Sequence, residues 1–121
     1  MPKVLHFEDN PAFAAYFDDA LRLASFSVVH CAVPPNDVVG LVTQEKPDIL
    51  ITDVVMPRVD GFTLTTLLKS DERTRHIPVV ILTSLSSAEH RARGKIAGAN
   101  SYVVKSELDI TDFINELFTL L

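Results

Sequence analysis

The sequence predicts an α/β protein in which a five-stranded parallel sheet carries five helices on its two faces. Short apolar segments alternate with longer amphipathic segments along all 121 residues, and this alternation is typical of strands joined by helical crossovers. The segment 49–51 is apolar at every position, as in a strand that is buried on both faces of a parallel sheet. Polar side chains follow four of the five predicted strands, and a parallel sheet places all of those strand ends at one edge.

Composition limits the class of protein before any motif is considered. At 13.4 kDa, with 47% hydrophobic residues, the chain is long enough for one domain with its own core, residues 1–121. Its net charge of −5 argues against direct nucleic-acid binding, which requires a basic surface. No signal peptide precedes the first strand, and no apolar run approaches the roughly 18 residues of a membrane span. We therefore expect a cytoplasmic protein without membrane contact.

The first predicted strand, residues 4–7, ends at two acids, Glu8 and Asp9. Asn10 and Pro11 then predict the start of a helix, as its N-cap residue and its first helical residue. One stripe of this helix is apolar at helical spacing, and we expect it to pack on the sheet. The residues of the stripe are Phe13, Phe17, Leu21 and Ala24. The outer face carries Ala12, Ala15, Tyr16 and Leu23.

Residues 26–32 predict a second strand, and residues 38–42 a short, weakly amphipathic helix. Gly40 destabilises this helix by roughly 1 kcal/mol relative to alanine. The single cysteine, Cys31, cannot form an internal disulfide, and its position in an apolar strand predicts a buried structural thiol.

The central strand delivers an acid, Asp53, at its carboxyl end. Met56-Pro57 forces the chain out of strand geometry, and Asp60-Gly61 forms a turn before a third helix, which begins at Phe62 and ends near Ser70-Asp71. An aspartate at this position can simply cap a turn. It can also be a reactive group, because the carboxyl end of the strand is a rigid platform with open space above it.

A fourth strand, residues 79–82, ends at Thr83. A capping-box pattern from Ser86 to Glu89 predicts the start of a fourth helix. That helix is expected to end between two glycines, in the segment 94–98.

A fifth strand, residues 101–104, ends at Lys105, and a fifth helix closes the chain. We expect one apolar side of this helix to pack on the sheet. That side consists of Ile110, Phe113, Ile114, Leu117 and Leu121.

The strand ends combine the groups that phosphoryl transfer requires. Three carboxylates, those of Glu8, Asp9 and Asp53, repel one another when ionised, so the site needs a cation, and Mg²⁺ prefers oxygen ligands. Lys105 adds another positive charge, and Thr83 adds a hydroxyl donor for the oxygens of a phosphoryl group. Asp53 is the expected acceptor, because it ends the central strand.

Other phosphate chemistry fits the sequence less well. There is no glycine-rich loop followed by lysine and serine or threonine, which argues against Walker-type nucleotide binding. An aspartyl phosphatase of the dehalogenase type usually carries a second aspartate two residues after its nucleophile, where this sequence has Val55. A flavodoxin would bind phosphate after the first strand, where Glu8 and Asp9 would repel it.

The ordered set of motifs resembles the receiver domain of two-component response regulators, over essentially the full chain. The matching residues are Glu8-Asp9, Asp53, Met56-Pro57, Asp60-Gly61, Thr83, Tyr102 and Lys105. Each motif is weak by itself, but the set in this order is specific.

The resemblance implies a flavodoxin-like receiver fold with strand order 2-1-3-4-5. It implies transfer of a phosphoryl group to Asp53 from a histidine kinase or a histidine phosphotransfer protein, assisted by Lys105 and Thr83. Thr83 and Tyr102 would then switch a surface that an output protein, unknown from the sequence, distinguishes. The protein would be no enzyme beyond its own phosphorylation and dephosphorylation.

The resemblance also implies a Mg²⁺ site. The expected ligands are Asp9, Asp53 and the backbone carbonyl of Val55, with Glu8 acting through water.

One departure from the family pattern is Ser106, which replaces the proline that usually follows the lysine. The family bond before that proline is typically cis, but a cis bond before a non-proline residue costs roughly 2.5–4 kcal/mol. We therefore expect the Lys105–Ser106 peptide to be trans.

Two alternatives remain open at this point. The chain could be a pseudo-receiver, an interaction module that keeps the fold without the chemistry, although intact acids and Lys105 favour chemistry. The segments 61–65 and 105–107 are similar to receivers of hybrid kinases and chemotaxis coupling proteins, which would make the domain part of a longer chain.

Overall fold

Five strands and five helices alternate along the chain, as the sequence predicts. The structure is a computed structural model that describes residues 1–121. The strands are β1 (Lys3–Phe7), β2 (Ser27–Cys31), β3 (Ile49–Thr52), β4 (Val79–Thr83) and β5 (Ser101–Val104). The helices are α1 (Pro11–Leu23), α2 (Val38–Glu45), α3 (Gly61–Lys69), α4 (Ala88–Ala97) and α5 (Ile110–Leu120). A single 3₁₀ turn, Lys105–Glu107, joins β5 to α5.

All five strands are parallel and lie in the order β2-β1-β3-β4-β5, which confirms the expected topology. The central strand is β3, and each of its residues is buried, as expected for a strand covered on both faces. β1 and β3 pair so that Phe7 lies opposite Thr52. The residues that follow these two strands therefore emerge side by side at the carboxyl edge of the sheet.

The helices pack on the sheet over three buried clusters, of which the one beneath α4 is the smallest. On one face, α1 and α5 pack a cluster of 10 buried residues, which includes Phe17 and Phe113. On the other face, α2 and α3 pack a cluster of 9, which includes Val42 and Leu64. The cluster beneath α4 is much smaller. Its buried members are Val54, Phe62 and Ile81.

Helix α1 begins as predicted, with Asn10 as its cap. The predicted capping box at Ser86 is wrong, because α4 begins at Ala88 and its cap is Ser87. The Ser87 hydroxyl accepts a hydrogen bond from the backbone N–H of His90 at 3.1 Å, and this contact determines where the helix starts. None of the five helices combines the length and the apolar character that a membrane crossing requires.

The prediction that Cys31 is a buried structural thiol is wrong. β2 is an edge strand, so Cys31 is only half-buried, and its Sγ lies 3.2 Å from the Val33 carbonyl. Partial burial still raises the pKa of the thiol. Leu121, which was expected to pack, is exposed and lies beyond the last residue of α5.

Candidate functional site

Three acidic residues share one pocket at the carboxyl edge because the strands place them there. Glu8 follows β1 and Asp53 follows β3, and the Asp53 backbone N–H donates to the Phe7 carbonyl at 3.1 Å. Glu8 is fully buried, Asp53 is 8% exposed, and Asp9 is exposed at the rim of the pocket. One carboxylate oxygen from each acid lies within 4.8 Å of those of the other two.

Lys105 reaches into this pocket from the 3₁₀ turn after β5. Its ammonium donates to Glu8 Oε1 at 2.6 Å and to Asp53 Oδ2 at 2.9 Å. Burial by itself would lower the pKa of Lys105, but the hydrogen bonds to the two carboxylates outweigh burial and the pKa is raised. The Lys105 ammonium therefore supplies part of the positive charge that offsets repulsion among the three carboxylates. The Lys105–Ser106 peptide is trans, as expected.

The aromatic ring of Phe13, on α1, also contacts this lysine. The Lys105 Nζ lies 4.2 Å from the centroid of the Phe13 ring, over its face. Sequence reasoning placed Phe13 only in the apolar stripe that packs on the sheet. Phe13 lies four residues after Asp9, one helical turn from the acidic strand end. This spacing was the sequence signal that could have placed its ring beside the pocket.

The loop after β3 holds the Asp53 side chain in a defined orientation. Asp53 Oδ1 accepts from the Val54 backbone N–H at 2.6 Å, and the Gly61 N–H donates to the Val54 carbonyl at 2.8 Å. A Cβ atom on Gly61 would lie 2.1 Å from the Asp53 carbonyl oxygen, so only glycine permits this close return of the chain. Val55, the next residue, projects into solvent and is 64% exposed.

The donor set of the pocket fits a hard divalent cation. All three acids offer oxygen ligands at one place, and such ligands suit Mg²⁺, which also retains several waters. The exposed position of Asp9 leaves the pocket open to solvent on that side.

Thr83 and Tyr102 are linked through the backbone of Leu85. The Thr83 Oγ1 accepts from the Leu85 N–H at 3.4 Å, and the Tyr102 hydroxyl donates to the Leu85 carbonyl at 2.8 Å. Thr83 is buried at the end of β4, whereas Tyr102 is half-buried on β5. Burial raises the pKa of Tyr102, against a lowering effect of Arg91. The backbone N–H and carbonyl of Leu85 thus connect Thr83, at the end of β4, with Tyr102 on β5.

A buried polar pair lies behind the pocket and was not predicted. His6 Nδ1 and Asp18 Oδ1 are 2.7 Å apart, and both side chains are almost fully buried. His30 Nε2 lies 2.7 Å from the Glu8 carbonyl oxygen. Asp18 lies between Ala14 and Leu21 on the buried side of α1, and a charge on a buried helix face is itself a signal of a buried partner.

Known proteins share this sequence pattern and architecture. A family model described as the response regulator receiver domain matches residues 4–117. RpaA of Synechocystis sp., described as a DNA-binding dual master transcriptional regulator, is 34% identical over 121 residues, which cover 100% of this chain and 49% of RpaA. Protein PilH of Pseudomonas aeruginosa is 34% identical over 105 residues, which cover 87% of this chain and 86% of PilH.

A solved structure shows the same similarity to receiver domains. The signal receiver domain of a signal transduction histidine kinase from Syntrophus aciditrophicus superposes with a TM-score of 0.89 at 28% identity, covering 100% of this chain and 90% of that chain. This chain spans half the length or less of the first curated relatives that it matches, so the likeness concerns one domain of those proteins. Because the family match extends over residues 4–117 and agrees with the observed topology, the chain belongs to the receiver domain family of two-component response regulators.

Proposed function

We propose that this receiver domain accepts a phosphoryl group on Asp53 from a histidine kinase or a histidine phosphotransfer protein. The observation that carries the proposal is the position of the Lys105 ammonium, 2.6 Å from Glu8 and 2.9 Å from Asp53. An ammonium held against the acceptor carboxylate supplies counter-charge for the phosphoryl oxygens as charge develops on them. The phosphorylated state then presents a changed surface to an output protein.

The transfer forms one bond and breaks one. An Asp53 carboxylate oxygen bonds to phosphorus while the bond from phosphorus to the leaving group breaks, and the leaving group keeps that electron pair. Acetate leaves from acetyl phosphate, and imidazole, which takes up a proton, leaves from phosphohistidine. The contact of Oδ1 with the Val54 N–H and of Oδ2 with Lys105 orients the carboxylate before the donor arrives.

Mg²⁺ is the proposed cofactor, since receiver domains bind this ion in an acidic pocket. Asp9, Asp53 and the Val55 carbonyl are the proposed direct ligands, and Glu8 would act through water. When bound, the ion supplies positive charge beside the transferred group.

Magnesium binding gives a test that does not need a phosphodonor. Mg²⁺ should raise the thermal midpoint of the protein, because it relieves repulsion among the acids and binds only the folded arrangement. Asp53→Asn should raise the midpoint without metal and weaken the response to Mg²⁺. Asp19→Asn, a matched change at an acid of α1 that pairs only with Arg22, should leave the response intact. Equal responses in all three proteins would contradict the proposed metal ligands.

The proposed switch uses the backbone N–H and carbonyl of Leu85. When Thr83 turns toward a phosphoryl group on Asp53, its hydroxyl leaves the Leu85 N–H, and the ring of Tyr102 can occupy the space that Thr83 vacates. Inward and outward rotamers of Tyr102 are then the two states that a partner distinguishes. Structures with and without beryllofluoride that show one unchanged Tyr102 rotamer would oppose this switch.

The outer face of α1 is the proposed docking surface for the phosphodonor. Ala12, Ala15, Tyr16 and Leu23 are all exposed on this face, and α1 begins at Pro11, two residues after Asp9. Ala15→Arg should slow transfer from the kinase and leave the reaction with acetyl phosphate unchanged. Equal slowing of both reactions would contradict docking at this face.

The proposed function is tested most directly by intact mass. Incubation with acetyl phosphate and Mg²⁺ should add one phosphoryl group to the parent protein and to Asp19→Asn, and none to Asp53→Asn. An unmodified parent protein would favour the pseudo-receiver alternative. Labelling of Asp53→Asn to the same extent would move the acceptor to another residue.

The share of the relatives that this chain spans favours a place in a larger signalling assembly. The output would then come from a separate domain or a separate protein, and we propose a cytoplasmic location for the system. The net charge of −5 argues against direct binding of nucleic acid by this domain.

A further inference from the structure

The ring of Phe13 contacts the lysine of the acidic pocket. Lys105 Nζ lies 4.2 Å from the ring centroid, and the ring stacks on Phe17 with centroids 5.6 Å apart and planes inclined by 14°. Phe17 is fully buried in the core that α1 forms with α5. The Phe13 ring is therefore held in place from behind while one face meets the ammonium.

This contact differs in kind from the two carboxylate contacts. The carboxylates of Glu8 and Asp53 attract the ammonium by charge, and the charge on Asp53 is redistributed when that carboxylate becomes an acyl phosphate. The attraction between a cation and the negative face of an aromatic ring does not depend on that change. Phe13 can therefore hold Lys105 in place throughout the transfer.

We infer that Phe13 is a positioning residue, whose ring keeps the Lys105 ammonium beside the acceptor carboxylate so that it meets the incoming phosphoryl oxygens without a rotamer search. The inference rests on the proposed phosphorylation of Asp53. An aliphatic side chain of similar size would fill the same space, but it has no negative face for a cation. The nature of the side chain, and not its volume, is what the inference requires.

The first test compares rates of phosphorylation by acetyl phosphate. Phe13→Leu should react about two- to fivefold more slowly than the parent, which corresponds to roughly 0.5–1 kcal/mol at 1.4 kcal/mol per tenfold. Phe13→Tyr, which keeps the ring, should react at the parent rate. Phe118→Leu makes the same change at a half-exposed ring that packs on Phe26 far from the pocket, and should also leave the rate unchanged. A parent rate in Phe13→Leu, or equal slowing in Phe13→Tyr, would overturn the inference.

The second test needs no phosphodonor. The ε-methylene protons of Lys105 should resonate upfield of those of the other lysines, because they lie over the face of an aromatic ring. The upfield shift should persist in Phe13→Tyr and disappear in Phe13→Leu, with Lys105→Arg providing the assignment. Phe13→Met replaces the leucine variant if that variant does not fold. A Lys105 signal that is identical with and without the ring would overturn the inference even in a protein that takes up no phosphoryl group, whereas failure of phosphorylation alone would contradict only the proposed function.

Discussion

The face of the sheet covered by α1 and α5 and the region covered by α4 differ in how their helices are attached. α5 inserts Phe113 and Leu117 into a cluster of 10 buried residues, whereas α4 contributes only Gly94 to the buried set. The large apolar residue of α4, Ile96, is 86% exposed. Helix α5 is therefore attached to the sheet by burial of large apolar side chains, whereas α4 buries no large apolar side chain of its own.

Helix α4 instead makes stacking contacts near its surface. The Arg93 guanidinium lies 4.5 Å from the centroid of the Phe62 ring, and that of Arg91 lies 5.7 Å from the Tyr102 ring. The imidazole of His90 stacks on Phe62 at 6.4 Å. Such contacts contribute about 0.5–1 kcal/mol each at exposed sites, much less than a buried phenylalanine.

The difference is consistent with the proposal that one small domain combines a rigid phosphoryl acceptor with a movable switch. The α1–α5 side holds Phe13 and the end of β1 on a deep core, so the pocket keeps its geometry. The α4 side lies next to Thr83 and Tyr102, and local rearrangement there exposes little apolar surface and so requires little free energy.

The largest expected effect tests the deep core directly. Phe113→Ala should lower the free energy of unfolding by about 3–5 kcal/mol, because it leaves a cavity in the 10-residue cluster. Ile96→Ala on α4 should change it by less than about 0.5 kcal/mol. Urea denaturation measures both variants. Similar losses in the two would remove the proposed contrast between the attachment of α5 and that of α4.

The next effect concerns the lifetime of the phosphoryl group. Val55 and the half-buried Leu85 lie two residues beyond Asp53 and Thr83, and neither side chain can hydrogen-bond an attacking water. Val55→Asn or Leu85→Glu should shorten the lifetime by up to roughly tenfold, a barrier change of about 1.4 kcal/mol, because either can orient that water. Loss of phosphoryl group is followed after removal of the donor. Unchanged or longer lifetimes in both variants would show that another feature controls access of water.

A smaller effect probes the packing beneath α4. In Gly94→Ala the new Cβ would lie 2.7 Å from Tyr102 Cδ2 and 3.3 Å from Ile81 Cδ1, so the Tyr102 ring must move. Overpacking costs about 1–3 kcal/mol and the gain in helix propensity is about 1 kcal/mol, so we expect a net loss near 1 kcal/mol. The Tyr102 ring resonances should shift. Stabilisation with unchanged Tyr102 resonances would mean that the ring does not pack against α4.

The smallest effect is a change in alkaline titration. Burial raises the pKa of Tyr102 above that of an unfolded tyrosine, about 10, so the folded state favours the neutral phenol. This contribution to stability is complete below the unfolded pKa and is lost as the pH rises through the higher folded pKa. The absorbance of phenolate should show one delayed step that Tyr102→Phe removes. A titration of Tyr102 at or below the unfolded value would indicate that its ring faces water.

Much of the fold followed from patterns that are local in the chain. The continuous apolar run of β3 predicted a strand buried on both faces, and Asn10-Pro11 predicted the start of α1. The cap of α4 was predicted one residue too early, because adjacent serines, Ser86 and Ser87, can both cap a helix and only backbone geometry selects between them. The order of the motifs predicted the family, and the resemblance to that family implied the strand order.

The sequence by itself determined which residues stand at the ends of the strands, because strand and helix periodicity are short-range properties. It therefore placed Glu8, Asp53 and Lys105 at one edge of the sheet. The tertiary structure decided what these groups touch. The distance from Lys105 to the Phe13 ring, the partial exposure of Cys31 on an edge strand and the pairing of His6 with Asp18 join residues from different elements. Such contacts depend on how whole helices pack on the sheet, and no local periodicity encodes that packing.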